Sequence, residues 1–204
     1  MAFIDTIAPA EASGDVLAMY QRQQASWGFV PNYAKVFSLR PEVLARWGNL
    51  LAEIRRPMDA RRFELITFAA AHELRNSACS LAHGKALTPF FSAEEVGVMA
   101  KGGEVPGLTA AEGAMIAFSR KVARDASAVT EADAEALRAH GLTDAEIFDV
   151  AATAAGRAFF TKLLDALGVL PDAPMAGVPP VLRAAVDFGR PIDTAMPDQV
   201  IAPQ

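Results

Sequence analysis

A single cysteine, Cys79, occurs in the 204 residues, so no disulfide can form within the chain. One free thiol suits a reducing, cytoplasmic setting. Charge is modest: 19 Lys and Arg stand against 24 Asp and Glu, for a net charge of −5 without any basic run. That balance argues against nucleic acid or an anionic membrane surface as partner. Charged residues interrupt every Ala-rich stretch, so no apolar run approaches the ~18 residues of a membrane helix. The opening Met-Ala-Phe-Ile-Asp-Thr lacks the basic and apolar regions of a signal peptide. Alternating runs of β-branched residues are absent, which excludes a sheet. One Cys and three scattered His do not match zinc spacing. The Gly-rich spots follow no strand and precede no Gly-Lys-Ser/Thr, so no phosphate loop is expected. No metal or cofactor is expected.

What is present is an apolar, helix-punctuated chain. Hydrophobic residues make up 52% and charged residues 21%, the balance of a globular protein long enough to bury its own core. Four segments begin with a hydroxyl residue followed three positions on by an acid: Ser92–Glu95, Thr109–Glu112, Thr130–Asp133 and Thr143–Glu146. Each can cap a helix start reciprocally, with Asp the weaker acid for this purpose. Apolar periodicity then predicts helices over 12–24, 31–38, 41–55, 59–74, 77–88, 92–100, 109–124, 130–140 and 143–167. The chain reads as all-α. Gly102-Gly103 through Pro106-Gly107 marks a joint between two halves. At an offset of 82 residues, Glu64-Leu-Ile-Thr-Phe-Ala-Ala resembles Glu146-Ile-Phe-Asp-Val-Ala-Ala and Arg75 pairs with Arg157, a faint repeat in an Ala-rich chain. Residues 171–204 hold seven of the 13 prolines and little helical periodicity outside Val181–Phe188. The expected organisation is a helical domain over 1–170 and a Pro-rich arm over 171–204, docked on a neighbouring subunit.

The chemistry concentrates around the thiol. Asn76 and Ser77 are good N-cap residues, so one helix should end near Arg75 and another start directly after it. Cys79 then sits in the first turn, where free N–H groups and the helix dipole favour a thiolate. His83 lies four residues on, on the same face, where an imidazole can act as base. Glu64 precedes Cys79 by 15 residues, about 22 Å along an unbroken helix, so it can join the pair only if the chain turns back. Glu64 shares a face with Phe68 and Ala71, a partly buried place suited to proton relay. A simpler reading stands beside this one: Cys79 as a small core hydrophobe, and His83 and Glu64 as ordinary helix residues. His72, Glu73 and His140 read as helix-surface residues.

These residues resemble the signature of the alkylhydroperoxidase D and carboxymuconolactone decarboxylase superfamily. Its thiol peroxidase branch has a Glu followed by Cys-x-x-Cys-x-x-x-His. On that pattern Cys79 takes the place of the second, peroxide-facing cysteine, His83 the histidine and Glu64 the relay acid. Trp27-Gly-Phe-Val-Pro-Asn-Tyr with Arg40-Pro-Glu-Val-Leu resembles the opening segment of the peroxidase-related subgroup, and Phe160-Thr-Lys-Leu-Leu-Asp-Ala-Leu-Gly-Val-Leu-Pro-Asp172 its closing helix. The likeness covers roughly residues 25–172. It implies a multi-helix bundle, a homo-oligomer, and peroxidase-like reduction of a hydroperoxide with an external thiol as reductant. Asn76 occupies the place of the first cysteine and Ala78 precedes Cys79, so an internal resolving thiol is missing and a sulfenic acid would be resolved from outside. The decarboxylase branch implies the alternative, a lyase on a small carboxylated ring, with Glu64 and His83 as acid and base and Arg75 or Arg157 holding the carboxylate. A catalytically silent oligomer is the third reading.

Overall fold

The computed structural model describes residues 2–200. Ten α-helices follow one another: α1 (Gly14–Trp27), α2 (Asn32–Val36), α3 (Pro41–Arg55), α4 (Ala60–Glu73), α5 (Ser77–Ala86), α6 (Ala93–Ala100), α7 (Ala110–Asp125), α8 (Glu131–Ala139), α9 (Asp144–Ala166) and α10 (Pro180–Ala185). Short 3-10 turns at Pro9–Glu11, Phe37–Leu39, Ala126–Ala128 and Ala173–Gly177 complete the regular structure, and the described residues contain no strand. Helix starts follow the caps. At Ser92, Thr109 and Thr143 the hydroxyl accepts from the N–H three residues on, while the acid accepts from the cap residue's own N–H. At Thr130 the shorter Asp133 accepts from both the Thr130 N–H and its hydroxyl. The two segments of the faint repeat fall in α4 and α9, which pack on each other. Arg75 lies beyond the end of α4, whereas Arg157 lies inside α9.

Helix α4 organises the core because its middle carries almost no polarity. Leu65 through Ala71 are all buried, and Thr67 is the one polar side chain among them. Its faces feed three apolar clusters. Leu65, Phe68 and Ala69 meet Leu81, Val96 and Ile116; Ile66 and Ala70 meet Met115, Leu137 and Val150; Ala71 meets Tyr20, Phe37, Phe160 and Leu164. A helix apolar on every side belongs at the centre of a bundle.

The turn from α4 into α5 depends on Arg75, whose φ of 59° places a non-glycine residue in the left-handed region. There its N–H donates to His72 O, and the Asn76 N–H donates to Ala71 O. This reverses the chain, so α5 lies against α4. His72 differs from the sequence expectation of a surface residue. Its half-buried ring meets Phe188 edge-on at 5.0 Å, and burial holds the imidazole below its ordinary pKa. Glu73 pairs with Arg124 at 2.9 Å.

The Pro-rich arm folds on its own chain. Met175, Val178, Leu182 and Val186 enter the first cluster, and the Leu182 side chain fills the space left by Gly84, where a Cβ would stand 3.2 Å from it. Further on, Asp198 O accepts from the Val30 N–H, Gln24 Oε1 accepts from the Val200 N–H, and Lys35 pairs with Asp198. These contacts tie the arm to its own chain. Proline-rich sequence removes helical periodicity without removing apolar side chains, and those side chains dock.

Candidate active site

Cys79 lies in the first turn of α5, capped as expected: Asn76 Oδ1 accepts from the Cys79 N–H at 2.7 Å. Asn76 is itself 1% exposed, so the cap is buried. His83 follows one turn along, and its Nδ1 is 2.6 Å from Oε2 of Glu64 on α4. The reversal at Arg75 thus brings together the three residues that the sequence singled out. All three line one cavity of about 480 Å³, a size suited to a small organic ligand.

Five aromatic side chains, Trp27, Tyr33, Trp47, Phe63 and Phe160, line that cavity. Trp47 stacks on Phe160 with centroids 4.2 Å apart and planes 12° from parallel, and Tyr33 meets Phe160 edge-on at 5.3 Å. The Trp47 Nε1–H donates to Gly156 O, which fixes the indole against α9. Trp27, half exposed, lines the same space and donates from Nε1 to the Tyr33 hydroxyl. Arg157, on α9, is 5% exposed and lies 5.4 Å from the ring centroids of both Trp47 and Phe160. Leu170 and the arm's Pro171, Asp172 and Met175 close one side. Arg75, the other arginine considered for a carboxylate, is exposed, packs over Phe188 at 5.2 Å and does not line the cavity.

Burial sets the protonation of the site. It pushes the Cys79 thiol above its ordinary pKa, while the Arg157 guanidinium and the Thr161 hydroxyl pull it partly back. Burial of the sulfur thus opposes the thiolate that the first-turn position favours. Burial also holds the His83 imidazole low, helped by Arg157 and opposed by Glu64. A neutral His83 donates from Nδ1 to Glu64 and leaves Nε2 free to accept a proton. Asp172 is pushed up to about 6, again chiefly by burial. Among the described residues no group of three or more His, Cys, Asp or Glu is placed to hold a metal ion, and no helix is long and apolar enough to cross a membrane.

No family model and no curated protein matches the sequence. Solved structures do match in three dimensions. A peroxidase-related protein of Ralstonia eutropha, described as an alkylhydroperoxidase AhpD core, superposes with a TM-score of 0.73 at 24% identity, over 85% of this chain and 94% of its own. The fold is that of alkylhydroperoxidase D. A peroxidase-related protein of Silicibacter sp. shares this fold with a TM-score of 0.70 at 22% identity, over 86% of this chain and 94% of its own. So does the debrominase Bmp8, solved as a cysteine-to-alanine variant with 2,3,4-tribromopyrrole, with a TM-score of 0.67 at 14% identity, over 91% of this chain and 97% of its own. The resemblance seen in the sequence thus holds at the level of fold. Within the alkylhydroperoxidase D fold this chain carries one thiol and, at position 76, a capping asparagine.

Three features of the site were not read from the sequence. The aromatic walls draw on α1, α2, α3, α4 and α9, so no local spacing reveals them. Asp172 reaches the cavity from the arm. Arg157 was considered only as a carboxylate holder, although its spacing from Val150, Ala154, Phe160 and Leu164 places it on the buried face of α9.

Proposed function

We propose that the protein is a peroxidase-like oxidoreductase that reduces small apolar hydroperoxides through Cys79, with an external thiol as reductant. The observation that supports this most is the shared cavity: a thiol, a His83–Glu64 pair and apolar aromatic walls converge on it. In this reading His83 Nε2 takes the thiol proton, and Glu64 holds the ring in the tautomer that permits it. The thiolate sulfur bonds to the terminal peroxide oxygen as the O–O bond breaks. The alkoxide leaves with the electron pair and takes the proton from His83. Cys79 is oxidised to the sulfenic acid and the hydroperoxide is reduced to the alcohol. Two external thiols then regenerate Cys79, giving a disulfide and water. Since the chain has no second cysteine, reduction has to come from outside it or from another subunit's Cys79.

Cumene hydroperoxide consumption with dithiothreitol tests this. Cys79→Ser should abolish turnover, and His83→Ala should lower it by about 10²- to 10⁴-fold, the usual worth of a general base. Turnover unchanged in the serine variant would overturn the reading.

A second reading draws on the debrominase and its halogenated ring ligand. The same stacked walls of Trp47 and Phe160 suit a flat ring. In this reading the Cys79 thiolate takes the halogen as a sulfenyl halide while the ring carbon takes a proton, and two external thiols then release halide and regenerate Cys79 as they form a disulfide. Halide release from a bromopyrrole panel, lost in Cys79→Ser, would favour it. Carbon dioxide release from carboxylated lactones, indifferent to Cys79→Ser and sensitive to His83→Ala, would favour the lyase instead. A homo-oligomer belongs to the proposal, and a monomer mass by light scattering would remove that part.

A further inference from the structure

Arg157 stands out among the charged groups. It is 5% exposed, its Nε is buried without a hydrogen-bond partner, and among the described residues no carboxylate pairs with it. A guanidinium is permanently charged, and a buried charge is tolerated only when something offsets it. The faces of Trp47 and Phe160 supply part of that offset. What remains is a positive charge, held rigidly against aromatic rings, in the cavity that also holds Cys79.

We infer that Arg157 is the counter-charge of the Cys79 thiolate, a positioning residue that lets a desolvated sulfur ionise and react. The inference rests on the reading of Cys79 as the reacting thiol. The groups around the sulfur leave few candidates for the role. Arg157 and Asp165 come from α9, His83 from α5, Glu64 from α4, Arg55 from α3, Tyr33 from α2 and Asp172 from the arm. Of these, His83 is already bonded to Glu64, and the acids and the phenol oppose a thiolate. Two permanent cations line the cavity, and of these Arg55 is exposed and stacks over Phe63 at 4.9 Å, whereas Arg157 is buried and acts on the sulfur. When the thiol loses its proton to His83, the guanidinium gains the partner it lacks. When the sulfur is oxidised, the charge passes to the departing alkoxide, which forms beside the same cation.

Alkylation of the folded protein at pH 7 tests this without any peroxide. Neutral iodoacetamide reports the thiolate population, and anionic iodoacetate reports, in addition, the local positive potential. In the wild type, the iodoacetate-to-iodoacetamide rate ratio should exceed the ratio for the same chain in denaturant. Arg157→Gln should slow iodoacetamide labelling by about tenfold, as for a tenfold smaller thiolate fraction, and lower the ratio further. Arg157→Lys should keep most of both. A glutamine variant that folds by circular dichroism and labels as fast as the wild type would overturn the inference. If that variant does not fold, the wild-type ratio decides, and a ratio no higher than in denaturant overturns it equally. Lost hydroperoxide turnover with an intact labelling response would instead count against the proposed function alone.

Discussion

At Cys79 burial and charge oppose each other, and the balance defines what the residue can do. A 5% exposed thiol is costly to ionise, yet a guanidinium and a hydroxyl stand beside it and the His83–Glu64 pair lies one helical turn away. The spacing of Glu64, Cys79 and His83 was legible in the sequence because two of them share one helix and the third precedes a cap signal. Arg157 as the charge beside the sulfur was not legible, because 78 residues separate it from Cys79. Asp172 gives a prediction at this scale. Burial raises its carboxyl from the ordinary 3.8 to about 6, so it favours the folded state fully only below the ordinary value, and that contribution is lost as pH rises through about 6. Asp172→Asn should therefore raise the melting temperature at pH 7.5 relative to the wild type and leave it little changed at pH 4. An equal effect at both pH values would show that the carboxylate's charge is not the cause.

Helix boundaries follow local chemistry closely here. Pro41 opens α3 and Arg55 closes it, as the periodicity predicts, and the four hydroxyl–acid pairs start α6 to α9 within a residue of expectation. The arm departs from this rule. α10 is six residues long and starts at Pro180 without a side-chain cap, so its stability comes from Leu182 and its neighbours in the core. At α5 the cap and the site coincide. Asn76→Ala removes the acceptor of the Cys79 N–H and should cost about 1 kcal/mol, somewhat more for a buried cap. Urea denaturation measures the loss. Labelling of Cys79 in the same variant should become faster if the turn frays, and unchanged stability would mean that the cap is redundant.

Across the whole molecule, α4 and the arm hold the two sides of the bundle to each other. Leu182 is fully buried against Phe68 and Gly84, and the α6 face beneath α10 depends on it. Leu182→Ala should cost about 2–5 kcal/mol, the range for a core leucine that leaves a cavity. The midpoint of chemical denaturation checks it, and a loss below about 1 kcal/mol would mean that the arm is only loosely docked. The sequence by itself determined the helical class and most helix starts, and it singled out three residues that line one cavity, since caps, periodicity and i to i+4 spacing are local properties that neighbours along the chain fix. Only the tertiary structure decided where the arm lies, which aromatic rings line the cavity, that burial raises the thiol, and that Arg157 lines the same cavity as the sulfur. Each of those depends on residues brought from distant parts of the chain to exclude water from one place, and exclusion of water is a property of the assembled core.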